Sequence, residues 1–172
     1  VRGAERSRDV DSDGMPAEME MRLGTDPSRA ETRKKLWEYT PPTNGVDRGE
    51  ACTPARDLRK LSIANVAGNR YLWVLEFAGD FDIANNNLLV YVDADNNPKV
   101  GQRNNKDRAG SDFTLWLSDG GRCCHAYGIT GEGTTPAPTR FATQGRNVFI
   151  CTDMPLAQES GESKFRVMAR CE

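Results

Sequence analysis

The sequence predicts a mainly β protein, an antiparallel β-sandwich preceded by a short helical N-terminal segment. Downstream of about residue 45, short runs rich in β-branched and aromatic residues recur between clusters of Gly, Asn, Asp and Pro. Several of these runs alternate apolar with polar residues, the period of a strand that buries one face. Upstream, the chain is charged and poor in such runs. The expected division is therefore a segment over residues 1–45 and a body over 46–172.

A chain of 172 residues can bury one well-formed core with an appendage. Its 37% hydrophobic and 28% charged residues are ordinary for a globular protein. No apolar run approaches the roughly 18–20 residues that a bilayer-spanning helix needs. The formal net charge of -2 leaves no excess of positive charge to neutralise phosphates, although Arg56, Arg59 and Lys60 form a small cluster, so nucleic acid is not an expected partner. No leader-like stretch opens the chain at Val1, and the expectation is a processed or excised form.

The first element is the run Asp9-Val10-Asp11-Ser12-Asp13-Gly14-Met15-Pro16-Ala17-Glu18-Met19-Glu20. Asp9, Asp11 and Asp13 alternate as oxygen donors, and Glu20 closes the run where a carboxylate can bind through both oxygens, the geometry that wraps calcium. Gly14 permits the sharp turn that this geometry requires, and Met15 would offer its backbone carbonyl. Ala17 stands where a side chain or a held water completes the shell, so a water and a modest affinity are expected there. The competing reading is an acidic turn whose carboxylates favour the positive end of a helix. That reading gives no reason for Gly14 and Glu20 to stand at those two places together. Three carboxylates on one turn repel one another without a cation, so metal would order the segment rather than catalyse. A loop of this kind fills at the millimolar calcium found outside cells, which points to a secreted or cell-surface protein.

Ala17 to Leu23 then reads as a short helix stopped by Gly24. Ser28-Arg29-Ala30-Glu31 fits a capping box that opens a second helix through about Tyr39, ended by Pro41 and Pro42. Trp37, near the end of that helix, would dock the segment onto the body. Thr40 to Glu50 has the turn chemistry of a linker.

In the body the expected strands are Leu58 to Ala64, Arg70 to Phe77, Leu88 to Asp93, Asp112 to Leu117, Cys123 to Ile129, Arg140 to Thr143, Asn147 to Thr152 and Phe165 to Ala169. Tyr71 to Phe77 is apolar on both alternating faces, as in a central strand covered on both sides. Phe113, Leu115 and Leu117 face one way, and Thr114, Trp116 and Ser118 the other. An exposed indole at Trp116 is a stacking platform for the C–H face of a sugar, and Tyr91 with the amides of Asn85 to Asn87 would extend it. The alternative is that a loop or the N-terminal helices cover Trp116. Trp73 reads as core.

Asp93, Asp95 and Asn97 have donor spacing, and the supposed fold places Asp112 beside them. A second cation site and side chains that cap tight turns are both open.

Five cysteines, Cys52, Cys123, Cys124, Cys151 and Cys171, read as a disulfide framework in an extracellular setting, or as small buried hydrophobes in a reducing one. One of the adjacent pair Cys123 and Cys124 would bridge to Cys151 or Cys171, with Cys52 tying the linker to the body. The adjacent two should point to opposite faces, and a vicinal disulfide and a free thiol stay open. Cys123-Cys124-His125 lacks the second Cys or His pair that a structural zinc site needs. With one His, and no GxSxG, phosphate-cradling glycine loop or HExxH, no enzyme is expected. Paired carboxylates for glycoside cleavage leave no spacing signature.

Residues 9–27, from the aspartate loop through the short helix to Leu23-Gly24-Thr25-Asp26-Pro27, resemble the thrombospondin type 3-like calcium repeats of bacterial surface proteins. Residues 56–170 resemble the DOMON and family 9 carbohydrate-binding-module β-sandwiches. That likeness rests on Tyr71-Leu72-Trp73, then Tyr91-Val92-Asp93-Ala94-Asp95-Asn96, then Gly110-Ser111-Asp112-Phe113. It implies a jelly-roll-like sandwich, often calcium-stabilised, that binds sugars or haem or serves as an interaction module. The chain has no Met and His pair at recognisable haem-ligand positions. The combined expectation is a calcium-stabilised interaction or adhesion module whose partners are glycans or other extracellular protein chains. A structural subunit or stalk domain of an extracellular assembly is the alternative.

Overall fold

The computed structural model describes residues 8–12, 15–30, 34–39, 53–55, 57–68, 70–93, 110–130, 133–153 and 166–171. Among them the chain is mainly β, with one short α-helix, α1 (Ala17–Leu23), and ten strands. The strands are β1 (Lys34–Tyr39), β2 (Leu58–Ala67), β3 (Arg70–Phe77), β4 (Leu88–Asp93), β5 (Phe113–Ser118), β6 (Cys123–Thr130), β7 (Gly133–Ala137), β8 (Thr139–Gln144), β9 (Asn147–Thr152) and β10 (Arg166–Cys171). They form two antiparallel sheets, ordered β1-β2-β3-β9-β8 and β10-β4-β5-β6-β7.

The strands alternate as their sequences do. From β3, Tyr71, Trp73, Leu75 and Phe77 join Leu61, Ile63, Val148 and Ile150 of their own sheet in one buried cluster. The same cluster takes Leu88, Val90 and Val92 of β4 and Phe113, Leu115 and Leu117 of β5, so the two sheets share a core. Each such side chain, buried completely, contributes about 1.5–3 kcal/mol relative to exposure. The indole of Trp73, with no exposed surface, donates from Nε1 to Oγ1 of Thr152 at 3.3 Å, which satisfies its polar atom inside the core.

Part of the other face of the first sheet, chiefly over β8 and β9, is covered by α1. Leu72, Val66, Ala142 and Cys151 form a second cluster with Met15, Met19 and Leu23. The spacing of four residues between those three apolar side chains places them along one face of the segment. β3, lying between β2 and β9, is therefore buried on its second face at Leu72, whereas Val74 and Glu76 on that face are half-buried, so the expected covering of both sides holds only in part.

Three sequence expectations change. The second helix opened by Ser28 does not form; residues 34–39 are the edge strand β1, paired with β2 from Lys34↔Asn65 to Tyr39↔Leu61. The hydroxyl and N–H of Ser28 donate to Oδ1 of Asp26 at 2.7 and 3.0 Å, so the supposed cap belongs to a turn. In Lys34-Lys35-Leu36-Trp37-Glu38-Tyr39 the backbone hydrogen bonds offered by β2 override a helical reading, and lysines are common on edge strands. Residues 34–39, expected in the N-terminal segment, therefore pair within the sheet of the body.

The third change is β7, which the sequence concealed behind Pro136 and Pro138. Proline lacks a donor, yet β7 is the edge of its sheet, where a missing donor costs nothing on the open side. Pro138 then divides β7 from β8 as the chain passes between sheets: Ala137 pairs with Ala126 in one, and Thr139 with Thr152 in the other.

Candidate metal loop and its seat on the sheet

The loop before α1 is closed at its base by Ala17 N–H donating to the Arg8 carbonyl at 3.1 Å. Ser12 takes a left-handed backbone, φ 63°, which helps the chain double back on itself. Pro16 precedes the helix with φ -64° and ψ 140° and brings no side-chain cap, so Glu18 and Glu20 supply the negative charge of the first turn. Gly24 ends the helix at φ 76°, its N–H donating to the Glu20 carbonyl, a conformation that costs glycine little.

Of the expected metal donors, Asp9 and Asp11 are half-buried, Met15 is buried, and Glu20 is completely buried. Oδ2 of Asp11 and both carboxylate oxygens of Glu20 are shut off from solvent. Burying carboxylate oxygens is costly unless positive charge or hydrogen bonds meet them. A hard divalent ion is one charge that oxygen donors of this kind suit. Asp13 and Gly14 lie outside the described residues. Among the described residues, no group of three His, Cys, Asp or Glu side chains gathers closely enough to hold a metal ion.

At the second acidic turn the structure brings two of the expected residues together. Asp93, at the end of β4, is buried, and Asp112 sits just before β5 with its N–H donating to the Val92 carbonyl at 2.7 Å. Asp95 and Asn97 fall outside the described residues.

Trp116 is 42% exposed on β5, between Leu89 of β4 and His125 of β6 in the register. Tyr91, on the neighbouring strand β4, is buried instead, with its hydroxyl enclosed. Tyr91 therefore does not extend the Trp116 surface. The neighbouring amides serve a turn: Asn85 donates to Oδ2 of Asp82 and Asn86 to its carbonyl, each at 2.7 Å. The bonds from Asn85 and Ala84 hold the Asp82 carboxyl below the usual carboxylate range.

Cys124 and Cys151 are both thiols, and they belong to different clusters. Cys124 packs against the shared core, and Cys151 lies under α1, so the core separates them and a bridge between these two is not formed. Cys52 and the side chains of Cys123 and Cys171 lie outside the description. Burial pushes the Cys124 thiol up to about 12.

The seat of α1 was not legible in the sequence. Arg70, at the start of β3, donates from Nη1 to the Gly24 carbonyl at 3.1 Å while gripping Asp153. Arg140 lies over the same helix end, so close that a Cβ on Gly24 would stand 2.5 Å from its Nη1. Two cations at a helix C-terminus meet its exposed carbonyls and dipole. Leu23, Gly24, Arg70, Pro138, Arg140, Cys151 and Asp153 line a cavity of about 90 Å³ at this seam. Residues so far apart in the chain leave no local signal. No helix among the described residues is long and apolar enough to cross a membrane. Comparison with protein-family models gives no match, and comparison with curated proteins gives none either, so function rests on these residues.

Proposed function

We propose that this protein is a secreted or cell-surface interaction or adhesion module, not an enzyme, stabilised by calcium held in the loop from Asp9 to Glu20. The carrying observation is the complete burial of Glu20, the closing carboxylate, on a helix seated against the first sheet. Asp9, Asp11, Asp13 and Glu20 would supply carboxylate oxygens and Met15 its carbonyl, while the calcium would neutralise their mutual repulsion. The two antiparallel sheets sharing one core support a jelly-roll-like sandwich as the body. Titration calorimetry with calcium chloride, paired with thermal melts, tests the reading. Binding heat and a calcium-dependent rise in Tm are expected, and both should vanish in Glu20→Gln and Asp9→Asn. Absence of heat at millimolar calcium would overturn the proposal.

For the partner, the exposure of Trp116 favours a glycan stacked on its indole over a contact spread across an edge strand.

A further inference from the structure

The first sheet ends on β1 and β8, and the second on β10 and β7. An open edge offers unpaired backbone groups to another strand, and proteins blunt such edges with charge, proline or a bulge. β1 carries Lys34, Lys35 and Glu38 and breaks register between Lys35 and Trp37, and β7 carries Pro136. β10 has Arg166 and Arg170, which a twin strand paired about Met168 would set against each other. β8, Thr139-Arg140-Phe141-Ala142-Thr143-Gln144, has no proline, and its register with β9 runs unbroken from Thr139↔Thr152 to Gln144↔Asn147.

The ladder decides which backbone groups of β8 face outward. The Pro138 carbonyl accepts from the Asp153 N–H at 3.1 Å, so that pair is hydrogen-bonded, and such pairs alternate with non-bonded ones along antiparallel strands. Arg140, Ala142 and Gln144 therefore bond to β9, while the N–H and C=O of Phe141 and Thr143 point away from it. Among the described residues, neither meets a backbone partner on that side, and neither residue is fully buried.

A second copy of the same strand fits this edge. Paired antiparallel about a two-fold axis at Ala142, Phe141 of one copy meets Thr143 of the other, and the two exchange both backbone bonds. Ala142 meets its own counterpart at a non-bonded position, where Cα atoms approach to about 4.5 Å and a small side chain is needed. Arg140 meets Gln144, whose amide oxygen is a neutral acceptor, so no like charges stand opposite. We propose that β8 is a self-pairing edge, through which two copies of the chain join so that the five-stranded first sheet continues into its twin. This contact depends on neither calcium nor a glycan. Trp116 lies on β5 of the other sheet, so the dimer presents that residue twice, which raises avidity for a repeated ligand.

Sedimentation velocity of the full chain over a concentration series tests the proposal, and a monomer–dimer equilibrium is expected. Thr143→Pro removes a donor aimed at the twin and none aimed at β9, and should abolish the dimer. Gln144→Glu should tighten dimerisation and Gln144→Arg weaken it, each by roughly two- to thirtyfold, because the two-fold repeats the contact with Arg140. Ala142, buried under α1, is left unaltered. Circular dichroism checks that each variant folds, and the Gln144 variants, changed at an exposed side chain, carry the test if Thr143→Pro does not fold. A monomer even at millimolar concentration would overturn the proposal. So would a dimer indifferent to all three substitutions, or one that shifts the same way with either charge at position 144.

Discussion

Arg70 grips Asp153 at two points, Nε to Oδ1 at 2.7 Å and Nη2 to Oδ2 at 3.3 Å, across the ends of β3 and β9. The remaining Nη1 reaches the Gly24 carbonyl, so one guanidinium joins two strands of the sheet to the end of α1. A planar fork suits that task, and lysine, as a point charge, does not.

The first prediction concerns this clamp. Both side chains are more than a third exposed, so the ion pair alone is screened and contributes little. Loss of the bond to the helix carbonyl adds to it, and Arg70→Ala should destabilise the protein by about 1–2 kcal/mol. Arg70→Lys should recover less than half of that. Urea unfolding of the three proteins provides the measurement.

Gly24 should not tolerate a side chain. At φ 76° an alanine costs about 1–2 kcal/mol in backbone strain, and its Cβ would also displace Arg140 from the helix end. Gly24→Ala should lower Tm and raise hydrogen exchange in α1 more than in β3. Equal exchange changes in both would show that Gly24 supports the whole fold rather than this seam.

Trp116 offers the opposite case, since it is an exposed side chain away from the core. Trp116→Ala should destabilise by about 1 kcal/mol, well below the loss for a core tryptophan. Glycan-array binding by the full chain in calcium should be lost in this variant. Retained binding, with the fold intact, would remove Trp116 from the recognition surface.

Cys124 sets an alkaline limit. Its thiol is pushed up to about 12 by burial, against an ordinary value of 9.0, so between those values the unfolded chain releases a proton that the folded chain keeps. The unfolded state then binds fewer protons, and stability falls as pH rises through that window; below it the thiol has no effect on the pH profile. Cys124→Ala should remove this part of the alkaline slope. Denaturant unfolding from pH 8 to pH 11 would detect the difference, and identical slopes would refute it.

The sequence alone determined the local pieces. The boundaries of α1, β3, β4 and β9 follow from Gly24 and from alternating apolar runs, because a strand or helix that buries one face must repeat its apolar residues at its own period. It also carried the alternating carboxylates on which the proposed calcium loop rests, since ligand spacing is a property of consecutive residues. What the tertiary structure decided were the matters settled by partners distant in the chain. Lys34 to Tyr39 became a strand because β2 offered it an edge, and Pro136 could stand in β7 because that strand is an edge itself. Tyr91 was enclosed while Trp116, in the adjacent strand on the same sheet, stayed open. The clamp of Arg70 on Asp153 and Gly24 joins residues with no spacing rule between them, so only the packed chain could reveal that the loop segment is seated on the sheet.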